Sequence, residues 1–295
     1  MKKDRLILLS TFIPPLCMGA LMGFEYLFTA ELLPATPLYA MLAEAVSFWL
    51  PFLLLLLMGR FAGEKEKPQL RIRRKIPYSN AFTLFTAALV PPGAFLLNVI
   101  QAKLFSTGNF AQGSGLYALT GQDTQLWLLL LAIALVPAVS EEFLFRSGLF
   151  GMYEQNGTMP ALLLCAVSFA LVHGATDNFL GPLFAGFVFG YLVYALDSIW
   201  PAVFAHLLNN AYALSVAGLS ATYEAFGLWP YFILANVIAF FLLLYLAMRS
   251  LEKLLERGKI PRFHKAAWGK AAVSTLLSPG FLLLVLMFVI KALYL

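Results

Sequence analysis

The chain has 295 residues, 61% hydrophobic and 12% charged, with a net charge of +5 and a mean hydropathy of +0.82. A soluble domain carries about 25% charged residues, so the composition excludes one and predicts an all-α, polytopic transmembrane helix bundle. No polar stretch is long enough for a separate soluble domain, and the positive charge sits in a few loops, which argues against a nucleic-acid partner and for the lipid bilayer.

A membrane span needs about 20 mainly apolar residues. Taken in chain order, the candidates are roughly 6–28, 38–58, 80–104, 125–149, 160–175, 179–197, 199–218, 228–248 and 272–292, about eight or nine spans with the fifth to seventh closely linked. The opening "MKKDRLILLSTFIPPLC" has a basic start and an apolar run but no A-x-A-like cleavage site, so it reads as a retained first span. Pro-Pro pairs at 14–15 and 91–92 should kink the first and third spans. Cys17 and Cys165 fall inside apolar runs, where a thiol is a packing residue rather than half of a disulfide.

Charge orients the spans. Lys2, Lys3 and Arg5 precede the first, seven Lys and Arg from Arg60 to Lys75 follow the second, and seven from Arg249 to Lys270 follow the eighth. The opposite loops, near 29–37, 105–124, 176–178 and 219–227, contain no Lys or Arg. The positive-inside rule then puts the N-terminus in the cytoplasm and the chain in the cell membrane as a multi-pass protein. Trp127, Trp200, Trp229 and Trp268 sit at span ends, as interfacial aromatics do. The basic stretch "RSLEKLLERGKIPRFHK" reads as amphipathic and lying on the cytoplasmic face. "NGT" at Asn156 matches a glycosylation acceptor but falls on the cytoplasmic side. Three regions follow: 1–124, N-terminal helices with a basic loop; 125–248, a helical core; and 249–295, a basic segment with the last helix.

Most spans show no strongly polar residue that needs explaining; the fourth, fifth and seventh do. The fourth carries "SEEFLFRSG". Glu142 and Arg146 are four apart and can neutralise each other. Glu141 points about 100° away and has no partner in its own helix. Pro137, one turn earlier, leaves the carbonyl of Ile133 without its usual donor, so a bend or an ordered water near Glu141 follows. A carboxylate held there suits a general base or a proton shuttle, although pairing with a basic group on a neighbouring helix would explain it as well. In the fifth span, Phe169 and His173 are i,i+4, so the ring can fix the imidazole. In the seventh, His206 and Asn210 share a face while Asn209 points elsewhere. For each of these the simpler role is a hydrogen bond between helices.

At about 1.5 Å per residue, Glu141 lies about 12–14 Å from the cytoplasmic end, His206 about 10 Å, Asn210 about 16 Å and His173 about 18–20 Å. His173 is one turn too deep, which predicts a fifth span that starts later or tilts. Converging, these groups would line a polar cavity that admits water.

The series E-E-x-x-x-R at Glu141–Arg146, F-x-x-x-H at Phe169–His173 and H-x-x-x-N at His206–Asn210, in this order on successive spans, resembles the CPBP intramembrane proteases, the CAAX-processing prenyl endopeptidases and their bacteriocin-immunity-type, Abi-like relatives. The resemblance covers about 80–120 residues from the fourth span onward; Ser147 stands where relatives often have Gly. It implies an endopeptidase acting on membrane-associated peptides or proteins, prenylated or lipid-associated ones among them. Glu141 with His173 would activate a water, His206 and Asn210 would hold the oxyanion, and Glu142, Arg146 and Phe169 would support the site. The family has been described both as glutamate-dependent and as metal-dependent. Zn²⁺, if used, would take Glu141, His173 and His206. With no H-E-x-x-H and with Asn a poor zinc ligand, the reading favours no cofactor. The alternative is a membrane immunity or scaffold protein that binds a peptide or partner in the same pocket without cutting it. A proton-coupled transporter ranks last, because paired broken helices and inverted repeats are missing from the sequence.

Overall fold

The structure, a computed structural model, describes residues 3–62, 68–72, 80–105, 125–173, 178–261 and 273–294. Among these the secondary structure is helical throughout, as the composition requires: in hydrocarbon only a helix or a closed barrel satisfies its own backbone. The helices are α1 (Lys3–Ser10), α2 (Ile13–Thr29), α3 (Pro37–Ala62), α4 (Asn80–Phe105), α5 (Leu126–Tyr153), α6 (Thr158–Val172), α7 (Leu180–Leu196), α8 (Trp200–Ala225), α9 (Trp229–Glu256) and α10 (Pro279–Tyr294). Six stretches are long and apolar enough to cross a membrane, α1 and α2 counting as one; α6, α7 and α10 are apolar but shorter.

The short ones need not span lipid alone. α6 has 15 residues, or about 22 Å, and nearly all of it is buried among α2, α5, α7 and α10. The protein is therefore the solvent of α6 on almost every face, whereas α9 is largely exposed at the periphery.

The two proline pairs behave differently. In the first, the helix breaks at Thr11–Phe12 and restarts with Pro14 and Pro15 in its opening turn, where a missing N–H costs little. Ser10 and Thr11 hydroxyls donate back to the carbonyls of Ile7 and Leu8 at the break. In the third, α4 runs through Pro91 and Pro92 without interruption.

Contacts between connections define two ends. At the first, Arg71 bonds Glu154 at 2.5 Å and Asp197 at 3.2 Å, which brings together the connections after α3, α5 and α7. The Tyr194 hydroxyl donates to the Pro261 carbonyl, adding the connection after α9. At the second end, Gln101 Oε1 accepts from the Phe179 and Leu180 amides, Asn98 Nδ2 donates to Asn178, and Lys291 pairs with Glu25 at 2.6 Å. This is the up-and-down alternation that the charge pattern requires. The described basic residues Arg60, Arg71, Arg257 and Lys259 lie at the first end, which the positive-inside rule assigns to the cytoplasm.

Residues 68–72 lie as a strap across that end. The Leu70 carbonyl accepts from Ser147, the Arg71 carbonyl from the Ile199 amide, and the Ile72 carbonyl from Trp200 Nε1. Gly151 lets the strap approach: a Cβ there would lie 2.8 Å from the Gln69 nitrogen.

One expectation changes at the basic segment. Residues 249–256 do not lie as a separate surface stretch; they continue α9 to Glu256, where Gly258 at φ +61° ends the helix. The rest of that segment from Arg262, together with Trp268, Lys2, Lys65, Lys67, Arg73 to Lys75 and most of the loop 105–124, lies outside the described residues.

Candidate active site

α5 carries the site and is irregular around it. Residues 130–135 and 143–149 are π-helical and flank a regular stretch, Val136–Glu142. The Val136 amide reaches back five residues to the Leu131 carbonyl, and the Phe150 amide reaches to Phe145. The first widened turn ends just before Pro137, so the distortion that the proline predicts takes the form of a π-segment. Such segments often mark functional sites because they re-aim the side chains that follow.

Glu142, Arg146 and His206 form one buried cluster. Arg146 is fully buried, with Nη1 3.0 Å from Glu142 Oε1 and Nη2 donating to the Gly186 carbonyl at 3.1 Å. Its guanidinium lies 4.2 Å from the ring centre of Phe169 and 5.4 Å from that of Phe189. The cation is thus offset by a carboxylate, a carbonyl and two aromatic faces. His206 Nδ1 lies 2.9 Å from the same Glu142 Oε1, and its ring stacks on Phe189. An ionised carboxylate only accepts, so the Nδ1 position carries the proton.

Glu141 and His173 form the second pair. His173 caps α6, with Nδ1 2.8 Å from the Phe169 carbonyl and its ring 4.5 Å from that of Phe169. Donation to that carbonyl leaves Nε2 with a free lone pair. Nε2 lies 3.9 Å from Glu141 Oε2. That is too long for a hydrogen bond and suits a bridging water. Glu141 Oε2 is buried and has no N–H or alcohol donor among the described residues.

The depth mismatch narrows on the other side from the one expected. α6 starts at Thr158, earlier than 160, and it is α5 that extends, to Tyr153 rather than 149. Glu141 is then about 18 Å and His173 about 22 Å from that end, and their side chains lie 3.9 Å apart.

Asn210 follows His206 by one turn on α8 and is half-buried, and its Oδ1 accepts from Asn209 at 3.4 Å. Asn209 therefore reaches Asn210 rather than pointing away from it. Among the described residues no hydrogen bond joins Asn210 to Glu141 or His173.

One residue overturns the expectation that polar side chains needing explanation sit on three spans. Glu44, in the second span, is buried on α3, and Ser140 Oγ donates to its Oε1 at 3.1 Å. Its partner lies on another helix, so no motif within its own span announces it. The signal was a lone carboxylate in "AMLAEAVSFWL", the same signal that singled out Glu141.

Among the described residues no three His, Cys, Asp or Glu groups are gathered as metal ligands.

Residues 123–212 match the family described as type II CAAX prenyl endopeptidase, Rce1-like. A Bacillus subtilis (strain 168) protein named "Putative membrane peptidase YdiL" is 32% identical over 88 residues, which cover 30% of this chain and 36% of that protein. The match thus spans about a third of the relative's length. No solved structure matches. The matched segment contains Glu141, Glu142, Arg146, Phe169, His173, His206 and Asn210, and over these residues the chain is similar to that family of endopeptidases.

Proposed function

We propose that the chain is an intramembrane endopeptidase of the cell membrane that hydrolyses peptide bonds in membrane-borne peptides or proteins. The observation that carries this reading is the facing of Glu141 Oε2 and His173 Nε2 at 3.9 Å, a separation that a single water can bridge. Glu141 takes a proton from that water while His173 Nε2 accepts its second O–H, and the hydroxide adds to the substrate carbonyl. The resulting oxyanion is received by the Asn210 amide and by His206 Nε2, which donates when the imidazole carries a proton on both nitrogens. Glu142 supports this role because it holds Nδ1 and leaves Nε2 directed away from itself. The C–N bond then breaks, and the proton on Glu141 passes to the leaving amine. The products are a new carboxyl terminus and a new amino terminus. No step passes through a metal. Prenylated C-termini, named in the family's description, are one form the substrate takes.

The test is a census of new peptide termini in native membranes that contain the wild type, Glu141→Gln or His173→Ala at matched levels. Wild-type-dependent termini should disappear in both variants. Termini that persist in Glu141→Gln would sink the peptidase reading and leave the binding-only immunity or scaffold role standing.

A further inference from the structure

Between Trp229 and Met248 of α9, Asn236 is the only amide or charged side chain. Most of that helix faces outward, yet Asn236 is 6% exposed. An amide inside a membrane bundle needs partners for both of its ends, and Asn236 has them. The Phe232 carbonyl only accepts, so the Nδ2 end donates to it, at 2.9 Å. That leaves Oδ1 to accept from the Tyr212 hydroxyl of α8, at 2.5 Å.

Tyr212 is seated by more than this bond. Its ring lies nearly parallel to that of Phe232, 6.3 Å between centres, and edge-on to Phe95 of α4 at 6.4 Å. Tyr212 follows Asn210 by two residues, which is about 200° around a helix. It therefore looks away from the face that His206 and Asn210 share. α8 is tied on two sides: His206 to Glu142 of α5 at 2.9 Å, and Tyr212 to Asn236 of α9. Asn210 stands between the two ties. Among the described residues no hydrogen bond from another helix fixes it, and its contact with Asn209 at 3.4 Å is local. Its aim follows the rotation of α8.

We propose that Tyr212 and Asn236 are positioning residues: their hydrogen bond anchors the far face of α8 on α9 and fixes the rotation at which Asn210 faces the site. Tyr212 is the last of the family-matched residues 123–212, and Asn236 lies beyond them. The effect on rate rests on the peptidase reading above; the hydrogen bond itself does not.

Melting of the full chain in detergent tests the bond by a double-mutant cycle. Tyr212→Phe keeps the ring and removes the donor; Asn236→Leu removes the acceptor at similar volume. Each should lower Tm, and the double variant should lower it little more than the larger single change. Additive losses, or no loss in either single variant, overturn the proposal. The rate test uses a quenched fluorescent peptide spanning a Glu141-dependent cleavage site found in membranes. Tyr212→Phe should lower kcat about 3- to 15-fold with KM unchanged. In an Asn210→Ala background it should lower kcat no further, because the group it aims is gone. A general loosening of the bundle would lower kcat in both backgrounds. Unchanged kcat in Tyr212→Phe, or equal loss in both backgrounds, overturns the positioning role. If the melting cycle shows coupling but no cleavage depends on Glu141, the anchor stands and the peptidase reading fails.

Discussion

His206 places Nδ1 2.9 Å from Oε1 of Glu142, the same oxygen that Arg146 approaches at 3.0 Å. One carboxylate oxygen thus ties α8 to α5 and also offsets a fully buried cation. Removing one member of a buried pair leaves the other charge uncompensated, at a cost of about 3–5 kcal/mol. Glu142→Leu should therefore destabilise the protein by about that amount, measured by unfolding in detergent. Glu142→Leu combined with Arg146→Leu should cost less than the sum of the two single changes. Additive costs would show that the two charges do not depend on each other.

Asn209 and Asn210 are adjacent amides whose side chains touch, yet only Asn210 shares a helix face with His206. If that face receives the oxyanion, Asn210→Ala should lower kcat about 10²- to 10³-fold and leave KM nearly unchanged. Asn209→Ala should cost much less, because it loses only a 3.4 Å contact. Steady-state kinetics on the same peptide for the two variants compares them. Similar losses would mean that the amide pair acts as a structural unit.

A hydrolase that uses Glu141 and His173 alone should ignore metal removal. Prolonged treatment with a membrane-permeant chelator, followed by transfer to metal-free buffer, should leave the cleavage rate unchanged. Loss of activity that added Zn²⁺ restores would place a metal between α5 and α6. His206 would then join it through Nε2, with Nδ1 keeping its 2.9 Å contact with Glu142.

How much of this was legible in the sequence depends on where each residue finds its partner. Glu142 with Arg146, and Phe169 with His173, are i,i+4 pairs, and both contacts are present in the structure. The charge-free loops gave the alternation of ends because topology follows a local count of Lys and Arg. Glu44 was missed because its partner, Ser140, lies on another helix. The Glu142–His206 bond was missed for the same reason: helical spacing says which way a side chain points and nothing about which helix stands opposite. The two π-segments of α5 were also beyond reach. A proline announces that a turn will be disturbed, but the surrounding packing decides whether the helix breaks, as at Thr11–Phe12, or widens, as before Pro137.

Gly186 shows how closely α7 must approach α5 and α6 for the site to form. Its carbonyl accepts from Arg146 Nη2, and a Cβ there would lie 3.2 Å from Ala166 Cα and from Phe169 Cδ1, and 3.3 Å from Arg146 Nη2. Ala166 Cα is backbone of a buried helix and cannot swing aside, so the strain must fall on Phe169 and Arg146. Both support the site: Phe169 packs on His173, and Arg146 pairs with Glu142. Gly186→Ala should therefore cost about 1–3 kcal/mol as overpacking and lower kcat as well, and Gly186→Val should cost more on both counts. Gly218 is the control, a helical glycine on α8 where a Cβ would meet nothing within 4 Å. Gly218→Ala should be neutral or stabilising by up to about 1 kcal/mol, from helix propensity alone. Melting curves and kinetics on the two alanine variants separate the cases. If Gly186→Ala behaves like Gly218→Ala, the contact between α7, Phe169 and Arg146 is not what holds the site in shape.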